Sequence, residues 1–346
     1  MSQTAFNNQK YVQLQKEEIY NRIQQYDRLY IEVGGKIFDD HHAARVLPGF
    51  NPNVKIEIFK ELKDDLEIIF CINARDIISQ KIRNDNNLTY AKETIRLINL
   101  MRELNINIAG VMINLYESNP LVEEFEKDCL LNNVKTYKSY FIEDYPNDVK
   151  LIVSNKGFGK NDHIITNKKI VLVLAPGAGS GKFETCLSQL FLDRKNKITS
   201  GYAKYETFPV WNLSIEHLLN TSYEIATADV LDVNMPDPFY KKSYNKDATN
   251  YNRDIEAFPL LSKLLNLIFG YQVYNSPTDM GINNVGFAIN NDYEVQKACM
   301  KEIEKRYIKI KNDYNNLLIS TQSFERALDL LIRSREYFNK LKNNQN

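Results

Sequence analysis

Cysteine, histidine and tryptophan are scarce in this chain of 346 residues: four, four and one. The cysteines stand at 71, 129, 186 and 299. No pair is close enough for a metal motif, and no disulfide framework is outlined. Cys71 and Cys186 lie in apolar periodic segments, which suits small buried hydrophobes better than nucleophiles. Neither sign of charge is in excess. Lys+Arg and Asp+Glu are 44 each, so no overall field favours nucleic acid or an anionic membrane. No apolar run reaches membrane-spanning length. The opening stretch MSQTAFNNQKYVQLQKEE lacks the apolar core of a signal peptide. A reduced, cytoplasmic setting without nucleic-acid or membrane partners is the expectation. Tyrosine, at 21, is abundant alongside asparagine and lysine, a bias of AT-rich coding rather than a base-stacking surface.

What is present is ordinary globular material, 43% hydrophobic and 25% charged, in a chain long enough for two or more substantial cores. Apolar runs at 29–35, 66–74, 106–116, 134–142, 148–154 and 170–174 read as strands. Segments 8–28, 89–104, 120–133 and 183–192 have helical spacing, and Pro120 suits a first turn. Strands that are apolar throughout and alternate with helices predict an α/β fold: a mostly parallel sheet with helices on both faces, P-loop-like or Rossmann-like. Beyond 195, segments 214–231 and 252–270 look helical, with Gly270 as a stop and Pro259 expected to kink or restart the second. Residues 293–346 read as a helical hairpin, a packing element or an oligomer contact. The divisions this predicts are an N-terminal α/β domain over 1–160, a second α/β segment with helical insertion over 161–292, and the hairpin over 293–346.

The most specific stretch is KKIVLVLAPGAGSGK, 168–182. A β-branched run enters the glycine loop Gly177-Ala178-Gly179-Ser180-Gly181, then Lys182, then a helix. Glycines let backbone N–H groups converge on an anion, the helix N-terminus adds partial positive charge, and lysine adds a full one. The loop departs from G-x-x-x-x-G-K-[ST] twice. Position 176 is Pro176, and the magnesium-holding Ser/Thr is replaced by Phe183, an apolar side chain that cannot ligate a hard cation. A tight strand-to-helix turn is the structural alternative.

Four further strings look chemical. At 38–45, Asp39, Asp40, His41, His42 and Arg45 offer acid–base groups or ligands for a divalent metal; a polar loop with one capping Asp is the alternative. At 201–212, Lys204, Glu206 and Trp211 would suit a ligand wall or a half-exposed strand. At 228–254, Asp229, Asp232 and Arg253 stand among turn formers, with Arg253 able to clamp an anion or to make a surface ion pair. At 275–283, Asp279 sits in a loop suited to a helix cap or a polar ligand.

The strings FDDHHAARVLPGF, EIIFCINARDI, KGFGKNDHI, LAPGAGSGKFETCLSQL, GYAKYETFPVWNL, ATADVLDVNMPDPF, NYNRDIEAFP and SPTDMGINNVGFAI resemble the bacterial family called domain of unknown function 1846, across roughly residues 29–290. The resemblance implies a P-loop-like or Rossmann-like protein with a helical insertion. It also implies a loop of form APGxGSGK without a following Ser/Thr, and a further C-terminal domain in longer members. No biochemical activity comes with it.

Two functions are then open. One is an enzyme of phosphoryl transfer or hydrolysis acting on a nucleotide or other phosphorylated metabolite. Gly177, Gly179, Ser180, Gly181, Lys182 and Arg253 would hold phosphate, and Asp39, Asp40, His41, His42 and Asp279 would supply acid–base or metal-binding groups. The other is a non-catalytic metabolite-binding module that acts through oligomerisation.

Overall fold

The computed structural model describes residues 4–83, 85–228 and 232–343. It opens with α1 (Asn8–Ile23), capped by Asn7, whose side chain accepts from Lys10 N. Next come β1 (Arg28–Val33), α2 (His41–Val46), α3 (Val54–Leu62), β2 (Leu66–Asn73) and α4 (Ala74–Ile78). Then follow α5 (Tyr90–Glu103), β3 (Asn107–Asn114), α6 (Pro120–Leu131), β4 (Thr136–Lys138) and α7 (Val149–Ile152). The middle of the chain holds β5 (Ile170–Leu174), α8 (Lys182–Lys195), β6 (Ser200–Tyr205), α9 (Leu218–Ala226), β7 (Asn234–Pro236) and α10 (Pro238–Tyr244). Last are β8 (Thr249–Tyr251), α11 (Asn252–Phe269), β9 (Gly281–Ile282), α12 (Asp292–Asn315) and α13 (Thr321–Asn343).

Among the described residues, seven strands make one sheet in the order β4-β3-β2-β5-β1-β6-β9, with every pairing parallel. The strand composition explains this. All of β5, and β2 up to its last residue, are buried, as strands covered on both faces must be. A separate two-stranded antiparallel ribbon joins β7 and β8.

Side chains alternate between two apolar layers. Leu29, Ile31, Ile68, Phe70, Ile170 and Leu172 pack under α1, α3, α5 and α6, with α9, α12 and α13 extending that layer. Tyr30, Ile69, Val171, Val173 and Tyr202 pack under α8 and α11. After β1, β2 and β3 the chain packs on the first layer, whereas after β5 it packs on the second. Because β5 sits between β2 and β1, its carboxyl end is where the connections diverge to opposite faces, the crevice in which open α/β sheets gather ligands.

Four local expectations need correction. Residues 148–154 do not form a strand: Asp148 caps a helical turn by accepting from Leu151 N, and α7 follows. Only Thr136–Lys138 of 134–142 is strand. The helix read over 214–231 starts at Leu218, and Asp229 lies outside the described residues. Pro259 neither ends nor restarts α11, which runs from Asn252 to Phe269 with Pro259 on its exposed side. Phe258, Leu264, Leu265 and Ile268 anchor that helix in the second layer, and their burial outweighs one lost backbone hydrogen bond.

The C-terminal hairpin forms as the apolar stripe predicts. Tyr293 near the start of α12 stacks on Phe338 near the end of α13, at 6.0 Å, while Tyr314 stacks on Phe324 at 4.5 Å, so the helices are antiparallel. No helix among the described residues is long and apolar enough to cross a membrane.

Candidate anion-binding site

The glycine loop leaves the end of β5 and turns directly into α8. Two glycines are required there by crowding. A Cβ on Gly177 would lie 2.3 Å from the Tyr90 hydroxyl, and one on Gly181 would lie 2.4 Å from Asn114 Nδ2. Gly181 also takes φ 85° as the residue preceding α8.

The loop's polar groups are sorted by direction. Six consecutive carbonyls accept from the protein. Arg83 donates to Pro176 O, Ser180 Oγ to Gly177 O at 3.0 Å, and Lys81 Nζ to Ala178 O at 3.3 Å. Asn73 Nδ2 donates to Gly179 O at 3.5 Å and Asn114 Nδ2 to Ser180 O at 2.8 Å, while Thr185 N takes Gly181 O at 3.0 Å. The amides of 177–181, by contrast, donate to no protein acceptor among the described residues. Those amides lie in the turn that leads into the N-terminal end of α8, without an acceptor of their own. Lys182 Nζ has no ion-pair partner among the described residues. Phe183, in the position a magnesium-binding hydroxyl would occupy, instead packs edge-on against Tyr202 at 5.8 Å.

Glu184, in the first turn of α8, accepts a 3.4 Å bond from Ser139 Oγ. Burial pushes its carboxyl up to about 7, against the opposing pull of that hydrogen bond.

A charged cluster lies on the other side of the loop. Glu32 is aligned in the sheet with Val173 of β5 and Lys204 of β6. Its carboxylate accepts from the Tyr202 hydroxyl at 2.9 Å. Lys204 Nζ lies 2.9 Å from Asp254 at the start of α11 and 3.4 Å from Glu206. Burial alone would lower the Lys204 ammonium, but Glu206, Asp254 and Glu32 together hold it above the ordinary lysine range. Burial pushes the Glu206 carboxyl up, reinforced by Asp254 and Glu32 and opposed by Lys204.

Lys55 of α3 completes the group from below. It is 2% exposed and donates to Gly34 O and Lys36 O at 2.8 and 2.9 Å. Burial pushes its ammonium down; Asp40 and Glu206 oppose that and Lys182 adds to it, which puts all four charges within one field.

The sequence-predicted residues divide accordingly. Asp40 caps α2 through Ala43 N at 3.2 Å, and its charge reaches Lys55. Asp39 and His41 are exposed beside it, with Asp39 at φ 53°. His42 turns toward the C-terminal hairpin. Its ring packs against Phe208 and Tyr223, and Nδ1 lies 3.7 Å from Glu302. Arg253 lies over the Tyr251 ring and 3.4 Å from Asp232. Asp279 accepts from Asn275 N, Ser276 N and the Tyr244 hydroxyl, which ties its own loop together. Among the described residues no group of three or more His, Cys, Asp or Glu could hold a metal ion.

The remaining strings converge on one cleft. Lys204, Glu206, Trp211, Asp254, Ala257 and Thr278 line it, around a cavity of about 50 Å³ that opens to solvent.

Comparison with known proteins now bears on this arrangement. The model described as "Domain of unknown function DUF1846, N-terminal" matches residues 4–335. The chain belongs to the DUF1846 family. A UPF0371 protein of Streptococcus thermophilus is 47% identical over 317 residues, covering 91% of this chain and 64% of that protein. One from Streptococcus equi subsp. zooepidemicus is 46% identical over 333 residues, covering 96% of this chain and 67% of that protein. The chain thus spans 64% of the length of the Streptococcus thermophilus relative. The DUF1846 assignment matches the resemblance carried by the sequence strings.

Glu32, Lys55 and Glu184 are charged groups near the loop that the sequence strings do not single out. Glu32 is a lone charge inside the apolar run LYIEV, and Lys55 alternates with Glu57 among the apolar residues of VKIEIF; those charges are the available signal.

Proposed function

We propose that the 176–182 loop of this DUF1846 protein binds the phosphate of a nucleotide or other phosphorylated metabolite. One observation carries the reading: consecutive carbonyls are held by side chains while the amides of 177–181 have no protein acceptor among the described residues. Backbone N–H groups at a helix N-terminus, with a lysine beside them, favour anions. The position at the sheet's crossover crevice supports the same reading.

Chemistry beyond binding would fall to the neighbouring acid–base groups. Burial pushes the Glu184 carboxyl up to about 7, the condition in which a carboxyl can give or take a proton near neutral pH, and Glu206, on the other side of the loop, is a second carboxyl raised by burial. Phosphoryl transfer or hydrolysis is the reaction class that this placement supports. A second reading, a binding module without turnover, is favoured by Phe183, which leaves the loop without its magnesium hydroxyl.

Calorimetric titration with inorganic phosphate and pyrophosphate tests the binding. Lys182→Ala is expected to weaken it by about 1.5–3 kcal/mol, the scale of a lost charge-assisted hydrogen bond. Unchanged affinity in that variant, or no binding to the parent protein, removes the reading.

A further inference from the structure

The cleft beside the loop has a chemistry of its own. Trp211 donates its Nε1–H to Asn283 O at 2.9 Å, so its polar group is used; its ring packs against Tyr240 and Phe287, and the ring carbon left over lines the cleft. Thr278 Oγ1 is engaged as well, donating to Asp237 at 2.6 Å and accepting from Asn250 Nδ2 at 3.1 Å. The polar capacity left in the cleft therefore belongs to Glu206, Asp254 and Lys204. Two carboxylates against one ammonium give an excess of hydrogen-bond acceptors. A second anionic group would be repelled there, whereas neutral O–H donors would be held by charge-assisted bonds. An apolar aromatic surface beside such acceptors suits a ring whose faces are C–H and whose rim is hydroxyl.

The cleft lies one strand away from the anion site, since β1 alone separates β6 from β5 in the sheet. Glu32 is flanked in the sheet by β5, which leads into the loop, and by Lys204 of the cleft. Glu206 lies against Gly34, where an added Cβ would meet its Cγ at 3.0 Å, and its charge acts on Lys55 together with that of Lys182. We propose that the cleft formed by Lys204, Glu206, Trp211 and Asp254 is a sugar subsite, so that the ligand is a sugar monophosphate with its phosphate on the 177–182 loop and its hydroxyls on Glu206 and Asp254. This rests on the phosphate reading of the loop and adds the class of molecule attached to that phosphate.

The test is calorimetric titration of the full chain with glucose 6-phosphate, ribose 5-phosphate and inorganic phosphate. At least one sugar phosphate is expected to bind ten or more times tighter than inorganic phosphate. Glu206→Gln, which keeps shape and removes charge, should erase most of that margin. Ala257→Trp, at an exposed helix position on the cleft wall, should erase it by filling the space, with inorganic phosphate titration reporting the state of the loop. Thermal melts of both variants check that they fold. The subsite is overturned if neither sugar phosphate exceeds inorganic phosphate, or if the margin survives in both variants while inorganic phosphate still binds. Loss of inorganic phosphate binding in the parent protein instead sinks the loop reading, and the subsite with it.

Discussion

The carboxyl of Glu184 is held in a place that disfavours its charged form. The folded protein raises it to about 7, above the roughly 4.3 of an unfolded glutamate. The folded state therefore binds the proton more tightly, and the stability this contributes is present below about pH 4 and declines as pH rises through 7. Glu184→Gln is expected to stabilise the protein at pH 8 by about 1 kcal/mol, discounted because the carboxyl partly reaches water. The gain should vanish near pH 4. Urea unfolding at the two pH values checks it; an equal gain at both would show that charge is not the cause. Glu302 behaves in the opposite sense. Burial would raise its carboxyl, but His42, Arg306 and Arg45 more than offset that and hold it down at about 2. Its contribution is present above about pH 4 and is lost as pH falls toward 2.

At the scale of elements, Glu302 fastens α12 to α2. Its carboxylate lies 2.9 Å from both Arg45 and Arg306, and it is 4% exposed. Removing it leaves two partly exposed arginines without their buried partner, a loss that water at Arg45 and Arg306 softens, so Glu302→Ala is expected to cost about 1–2 kcal/mol, measured by urea unfolding at pH 7. A cost below about 0.5 kcal/mol would show the ion cluster to be incidental. This contact also sets His42 apart from its neighbour: His41 is exposed while His42 faces the hairpin. On the other layer, Asp193 of α8 is fully buried with Arg28 and His163 each at 2.7 Å and the Tyr30 hydroxyl at 3.0 Å. Asp193→Ala is expected to lose about 3–5 kcal/mol and to loosen the helix that presents the loop. Thermal melts and pyrophosphate titration of the same variant would read both effects.

For the whole molecule, the parallel sheet could be read from the chain because β5 is apolar throughout and β2 nearly so, with Glu67 near its start and Asn73 at its end, a pattern that water on either face would not tolerate. The hairpin could be read because its stripe runs unbroken over many turns. The strand order could not, since nothing local in 170–174 tells that β5 inserts between β1 and β2. Short elements escaped for lack of period: β7, β8 and β9 have two or three residues each. The 148–154 segment misled because alternating valine and leucine imitate a strand, while the deciding contact is one capping bond from Asp148. At the site, glycines marked the loop, but the partners that orient it come from distant strands: Asn73 of β2 and Asn114 of β3. Deleting residues 320–346 is expected to destabilise the molecule by several kcal/mol, because Ala327, Leu330, Leu331 and Phe338 are buried under α9 and α12. Circular dichroism melts of the shortened chain check this; an unchanged midpoint would make the second hairpin helix dispensable.

The late arrival of the middle strand has a consequence for biogenesis. While the ribosome has delivered only the first 165 residues, β1 and β2 have no edge to share, since the partner that bridges them has not yet been made. Such a nascent chain would hold both edges of β1 and one edge of β2 unmatched, in reach of other polypeptides, the circumstance in which chaperones are engaged. Pausing translation just before residue 170 should prolong chaperone capture, and pausing after 205 should release it.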